Sequence, residues 1–179
     1  MPAKNLIIDL NEIDTTNLVA DLDEIRRYNT QRFEMESLTA VVFLDTERKI
    51  CVGYKDVTAD EFWVRGHMPG RPLMPGVLML EAAAQLCSFF AYKFEGLNKG
   101  EKSNAIIGFG GLDEVKFREP VFPGDRLYLL CRMERMRPGK VFVCSFQGVV
   151  RGELAVEGIL KGVAIPNDII NMQPQDTPH

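Results

Sequence analysis

The sequence predicts an α+β fold, with one long buried helix packed on an antiparallel sheet. Three observations carry this. From Gly76 to about Phe94 the chain is apolar on every side except at Glu81, Gln85 and the end, which is the pattern of a buried helix. Several stretches rich in Val, Ile, Phe and Tyr flank it, as strands require. The later ones are joined by short turns carrying Pro123-Gly124-Asp125, Pro138-Gly139 and Arg151-Gly152, and connections this short join antiparallel neighbours.

The elements follow in order. Residues 1–36 form a polar N-terminal extension with eight acidic residues against four basic ones. Within it, Asp21–Tyr28 reads as a short helix with Asp21 at its N-terminus. Leu38–Leu44 and Lys49–Val57 read as a hairpin around Asp45-Thr46-Glu47-Arg48. The loop Thr58–Val64 carries Phe62 and Trp63, for which apolar packing is the default. After the long helix comes a polar loop, Gly96–Ser103. Four strands follow: Ala105–Phe117, Arg126–Arg135, Lys140–Val150 and Glu153–Ile165. The first is interrupted by Gly108-Phe109-Gly110-Gly111, which marks a bulge or a place where a ligand passes close to backbone. Pro166–His179 is polar with three prolines and is expected to fray, leaving His179 inert.

Composition narrows the class. A chain of 179 residues suits a single domain, 1–179, with a substantial core. Its 46% hydrophobic and 26% charged residues are those of a globular protein in water. The net charge of -4 argues against a nucleic-acid partner. No apolar run reaches a membrane span, and no basic stretch followed by an apolar core suggests a secretory signal. Cys51, Cys87, Cys131 and Cys144 lie in apolar contexts without a Cys-x-x-Cys pair. They are expected to be free buried thiols in a reducing cytoplasm. With one His before the tail, a metal site has little to build from.

The chemistry gathers in Gly66-His67-Met68-Pro69-Gly70-Arg71-Pro72-Leu73-Met74-Pro75-Gly76. Three prolines and three glycines forbid a helix or central strand here and make a fixed, close-turning loop. Pro75 is placed for the first turn of the helix that follows. His67 sits on the loop and Glu81 in the second turn of the helix, with Gln85 one turn further on the same face. Either residue alone is more often structural than functional, since a lone loop His more often only packs and a Glu on an apolar helix can pair with an Arg. Together they supply a base, an acid and a helix N-terminus that stabilises developing negative charge.

The run His67-Met68-Pro69-Gly70-Arg71-Pro72-Leu73-Met74-Pro75-Gly76-Val77-Leu78, followed by Glu81-Ala82-Ala83-Ala84-Gln85, resembles the signature of the β-hydroxyacyl-acyl-carrier-protein dehydratases of fatty-acid synthesis. Leu112–Asp125 is similar to the strand and turn after that family's helix. The resemblance spans roughly residues 23 to 163. It implies the hot-dog fold, a long central helix wrapped by an antiparallel β-sheet. Glu81 in place of Asp implies a member that dehydrates without isomerising the double bond. Ile25–Phe33 departs from the Leu-Pro-His-Arg-like segment of relatives, which bears on substrate shape. The usual aromatic gate position falls on Gly108, with Phe109 beside it.

The resemblance implies elimination of water from a β-hydroxyacyl thioester to give the trans-2-enoyl thioester. His67 would take the proton next to the carbonyl and Glu81 would protonate the departing hydroxyl. The Gly76 N–H would hold the thioester oxygen, and Gln85 would orient water or Glu81. No cofactor or metal is implied. The partner is an acyl carrier protein with its phosphopantetheine-linked substrate, or acyl-coenzyme A. Sites in relatives draw on two subunits, so a homodimer is the expected minimum, with a trimer of dimers possible. Lys116–Lys140 holds seven basic and three acidic residues, a solvated strand face or a docking patch for an acidic carrier. A thioesterase on the same fold and a non-catalytic acyl-binding subunit are the alternatives.

Overall fold

The computed structural model describes residues 6–93, 105–137, 140–166 and 168. A short helix α1 (Leu22–Arg26) precedes the strands β1 (Ala40–Asp45) and β2 (Ile50–Asp56). The long helix α2 (Gly76–Lys93) follows, and then β3 (Ala105–Phe117), β4 (Arg126–Arg137), β5 (Val141–Val150) and β6 (Glu153–Pro166). The strands lie in the order β1-β2-β4-β5-β6-β3, and every pairing is antiparallel.

Local chemistry sets the ends of these elements. Asp21 caps α1, its side chain accepting the Glu24 N–H at 2.9 Å. The turn between β1 and β2 closes when Asp45 Oδ1 accepts the Arg48 N–H at 2.8 Å. Pro75 lies just before α2 rather than inside its first turn, and its carbonyl accepts the Leu78 N–H at 2.9 Å. The register of β3 against β6 shifts between Phe109 and Gly111, so the glycine run forms a bulge. Pro166 is the last residue of β6 and pairs with Ala105, which removes it from the expected tail. The loop Gly96–Ser103, the turn Pro138-Gly139 and the tail with His179 lie outside the described residues.

The sheet curves around α2. Met79, Ala82, Ala83, Leu86, Phe89 and Phe90 of the helix are buried together with Val41, Leu129, Phe142, Phe146 and Leu160 of the strands. A second apolar cluster lies apart from this core. Ile7 and Ile8 cover Val42, Ile50, Val52, Leu130 and Val149. The backbone of Ile7 is held from both sides. Its N–H donates to Gln147 Oε1 at 2.7 Å, and its carbonyl accepts from Arg132 at 2.9 Å. Ile7 and Ile8 of the N-terminal extension therefore form a strap over the sheet, and Ile50–Val52 is buried without alternation because both faces of the strand are covered.

All four cysteines are free and buried. Burial first, and then the neighbouring Cys131, push the Cys51 thiol well above its ordinary range, which makes it a packing group rather than a nucleophile. Among the described residues, no helix is long and apolar enough to cross a membrane, and no three metal-ligating side chains gather at one point.

The strap analysis yields a stability prediction. Ile8 is 4% exposed, so Ile8→Ala is expected to lower the unfolding free energy by about 2 kcal/mol, the low end for a buried Ile→Ala change. Urea unfolding would register this as a lower midpoint at unchanged slope. An unchanged midpoint would mean that the strap is not part of the folded unit.

Candidate active site

The loop that carries His67 is fixed along its whole length. Its approach is anchored by an ion pair of 2.6 Å between Lys55 and Glu61, both largely buried. Trp63 is buried, and its carbonyl accepts the N–H groups of Gly66 at 3.0 Å and His67 at 2.7 Å. Past the histidine, Met68 and Gly70 adopt φ of 66° and 83°, and the loop is tied down where the Met74 N–H meets the Val121 carbonyl at 2.7 Å.

This frame sets the His67 tautomer. Nδ1 lies 2.7 Å from the Leu73 carbonyl oxygen. A carbonyl only accepts, so Nδ1 carries the hydrogen and Nε2 keeps its lone pair.

Glu81 is held in a complementary way. Its Oε1 accepts from Gln85 Nε2 at 2.8 Å and from Gln31 Nε2 at 3.4 Å. Among the described residues nothing donates to Oε2. Gln85 is itself 2% exposed and fully committed. Its Oε1 accepts the Ser37 N–H at 2.8 Å, its second amide hydrogen goes to the Met35 carbonyl at 2.7 Å, and its backbone carbonyl accepts from Asn29 at 2.9 Å. The amide can therefore present only N–H to Glu81. A proton on the carboxyl then sits on Oε2, the oxygen left free.

Glu81 lines a cavity of about 70 Å³ with Gln31, Ala84, Ser88, Phe109 and Phe142 among its walls. Val77, Glu81, Ala84 and Ser88 make a stripe on α2 that the sheet leaves partly open, so the helix is not buried all round as its composition suggests. Beside the cavity runs an apolar groove between Val77 and Leu80 of α2 and Phe109–Leu112 of β3. Phe109 stands between the two and is 49% exposed. At the start of α2, Gly76 has the Phe117 ring 2.8 Å from where a Cβ would lie, so any side chain there would displace the ring. No described residue accepts its N–H, which is the unsatisfied donor of a helix start.

The structure places Glu81 and Phe109 on one cavity, Gln85 is hydrogen-bonded to Glu81 but is not among that cavity's walls, and Gly76 begins the same helix. His67 is absent from that cavity's walls. Sequence reasoning missed Gln31, Ser88 and Phe142. The helical spacing of Ser88 from Glu81 and Ala84 was a usable signal for the second of these, whereas Gln31 and Phe142 arrive through tertiary contacts. The basic window Lys116–Lys140 is not one patch. Arg118 pairs with Glu157, Arg126 with Asp56, and Arg132 holds the strap. The exposed Arg135, Arg137 and Lys140 lie at one end of the sheet. Lys116 lies six residues away along β5 by register, or about 20 Å. On the His67 loop, Arg65 and Arg71 are exposed and without an ion-pair partner among the described residues.

Residues 29–159 match the model of the FabA-like domain. A 3-hydroxyacyl-acyl-carrier-protein dehydratase FabZ from Geotalea uraniireducens is 36% identical over 141 residues, 79% of this chain and 94% of that protein. Another from Myxococcus xanthus is 35% identical over 148 residues, 83% of this chain and 94% of that one. Among solved structures, the dehydratase heterocomplex ApeI:P from Xenorhabdus doucetiae is similar at a TM-score of 0.67 and 14% identity, covering 83% of this chain and 95% of that one. A mutant thioesterase from Pseudomonas aeruginosa is similar at 0.58 and 13%, covering 83% and 96%. The shared architecture is the hot-dog fold that the resemblance implied. The chain belongs to the FabA-like family, alongside the 3-hydroxyacyl-acyl-carrier-protein dehydratases.

Proposed function

We propose that the chain eliminates water from carrier-protein-linked β-hydroxyacyl thioesters, with His67 as base and Glu81 as acid. The observation that carries the reading is Glu81 on the wall of a cavity, with one oxygen held by neutral amide donors and the other without a donor among the described residues. His67 Nε2 removes the proton next to the thioester carbonyl. Negative charge builds on the carbonyl oxygen, where the free Gly76 N–H at the α2 terminus stabilises it. The bond from the β-carbon to the hydroxyl breaks, the Oε2 proton of Glu81 joins the departing oxygen, and water leaves. The chain retains a protonated His67 and an ionised Glu81, which return to their starting states through solvent. The step calls on no metal or cofactor. Four buried thiols suit a reducing compartment such as the cytoplasm.

The active unit is a homodimer in this reading. β3 is a sheet edge of 13 residues, paired on one side only. It carries the exposed apolar residues Phe109, Leu112 and Phe117, and Val77 of α2 is 69% exposed beside it. An edge this long and apolar is a template for a second strand. Two copies joined there would cover the groove and bring the His67 loop of one to the Glu81 cavity of the other. An acidic carrier would be met by Arg65 and Arg71 on that loop, and by Arg135, Arg137 and Lys140 at the cavity's end of the sheet.

Two predictions follow from this chemistry and this assembly. Hydration of a short enoyl thioester, the readily followed reverse reaction, is expected to fall at least ~100-fold in His67→Ala and in Glu81→Gln, the scale of a lost general acid or base, while the proteins remain folded. A folded wild type inactive on both coenzyme A and carrier-protein thioesters would sink the dehydratase reading, and release of free thiol would instead identify a thioesterase. Placing a charge on the edge by Leu112→Asp is expected to shift the chain to monomers by light scattering and to abolish turnover together with assembly. An active monomer would rule out the shared site.

A further inference from the structure

The Glu81 cavity has a wall built from two rings and a glycine. Phe142, Gly162 and Phe109 stand in one row across β5, β6 and β3, because Gly162 pairs with Phe142 on one side and with Phe109 on the other. Directly opposed residues project from the same face of a sheet, so both rings flank the same glycine, and both line the cavity. The Phe142 ring leans across the gap. A Cβ on Gly162 would lie 2.2 Å from its carbons, a distance no two side chains can share, so the ring lies there only because residue 162 has no side chain. Phe142 is 2% exposed whereas Phe109 is 49% exposed. One wall of the cavity is thus a ring packed in the core, and another is a ring half in solvent.

The chain's own part of the cavity is about 70 Å³, and the apolar groove beside it shares Phe109 with the cavity but not Phe142.

Resting on the dehydratase reading, we propose that Phe142 is the length stop of the acyl pocket and that short β-hydroxyacyl thioesters are the preferred substrates. A chain that overruns the ring loses about tenfold or more in kcat/KM. Gly162 and Phe142 act as a unit, the glycine providing the seat for the ring that ends the pocket.

The test compares kcat/KM for hydration of four-, eight- and twelve-carbon enoyl coenzyme A thioesters in wild type, Phe142→Ala, Phe142→Leu and Phe109→Ala. Wild type is expected to prefer the four-carbon chain over the twelve-carbon chain by at least ~10-fold. Phe142→Ala is expected to bring the two within about twofold by raising the long-chain value. Phe142→Leu, which keeps apolar packing should the alanine variant fail to fold, is expected to fall between them. Equal use of all lengths by wild type would overturn the proposal, as would relaxation by Phe109→Ala with none by the Phe142 variants. Should wild type turn over nothing, the dehydratase reading fails, and calorimetric binding of inert alkyl thioethers of coenzyme A at the same lengths decides the stop separately. Binding at least ~10-fold tighter for the four-carbon chain sustains it, and equal or absent binding overturns it.

Discussion

The site depends on one buried amide. Gln85 sits on α2 one turn beyond Glu81, and its side chain joins two parts of the chain that are far apart in sequence, α2 and Met35–Ser37. It takes the Ser37 N–H, gives one hydrogen to the Met35 carbonyl and gives the other to Glu81. With the oxygen and both hydrogens committed, the amide has a single orientation. A buried amide missing one of these partners would lose about 1–3 kcal/mol, so the Met35–Ser37 backbone is locked to the helix as firmly as Glu81 is. The carboxyl then meets donors that carry no formal charge. An arginine in that place would hold Glu81 as a fixed counter-ion, whereas the amide brings no charge to it.

The histidine is governed by the same kind of constraint from another part of the chain. The Leu73 carbonyl fixes which ring nitrogen carries hydrogen, and the Trp63 carbonyl fixes the backbone beneath the ring. His67 and Glu81 are thus each oriented by a neutral backbone or amide partner. Neither is oriented by the other. This division suits a site assembled from two surfaces, each arriving with its group already aligned. The half-open stripe on α2 and the apolar edge of β3 belong to the same arrangement, because a helix sheltered on all sides by its own sheet would leave no face for substrate or partner.

Much of this was legible in the sequence, and what was not has physical causes. The long helix, its acid and its proline-glycine loop are local patterns, and the strands and hairpins followed from residue type and turn chemistry. Gln85 was readable as a neighbour of Glu81 by helical spacing. Its partners at Met35 and Ser37 were not, because they are backbone groups, which every residue has and no sequence pattern marks. Ile7 and Ile8 lie in an acidic stretch too short to show a period, so the strap was hidden until the far face of the sheet was seen. Phe142 entered the cavity through its register with Gly162, and register is a tertiary fact. The basic window read as one patch because charge counted along the chain ignores which side of the sheet order each strand occupies. Its arginines are divided between ion pairs, the strap and one end of the sheet.

The most direct test of a site built from two subunits is complementation between inactive variants. His67→Ala and Glu81→Gln would be unfolded together in equal amounts, refolded and assayed for enoyl thioester hydration. In a symmetric dimer with shared sites, half of the random assemblies carry both variants, and each of these has one site with both native residues. Activity should therefore return to about one quarter of the wild-type level, while either variant refolded alone stays inactive. A mixture as inactive as its separate components, with hybrid dimers demonstrably formed, would contradict the shared site and place both groups within one chain.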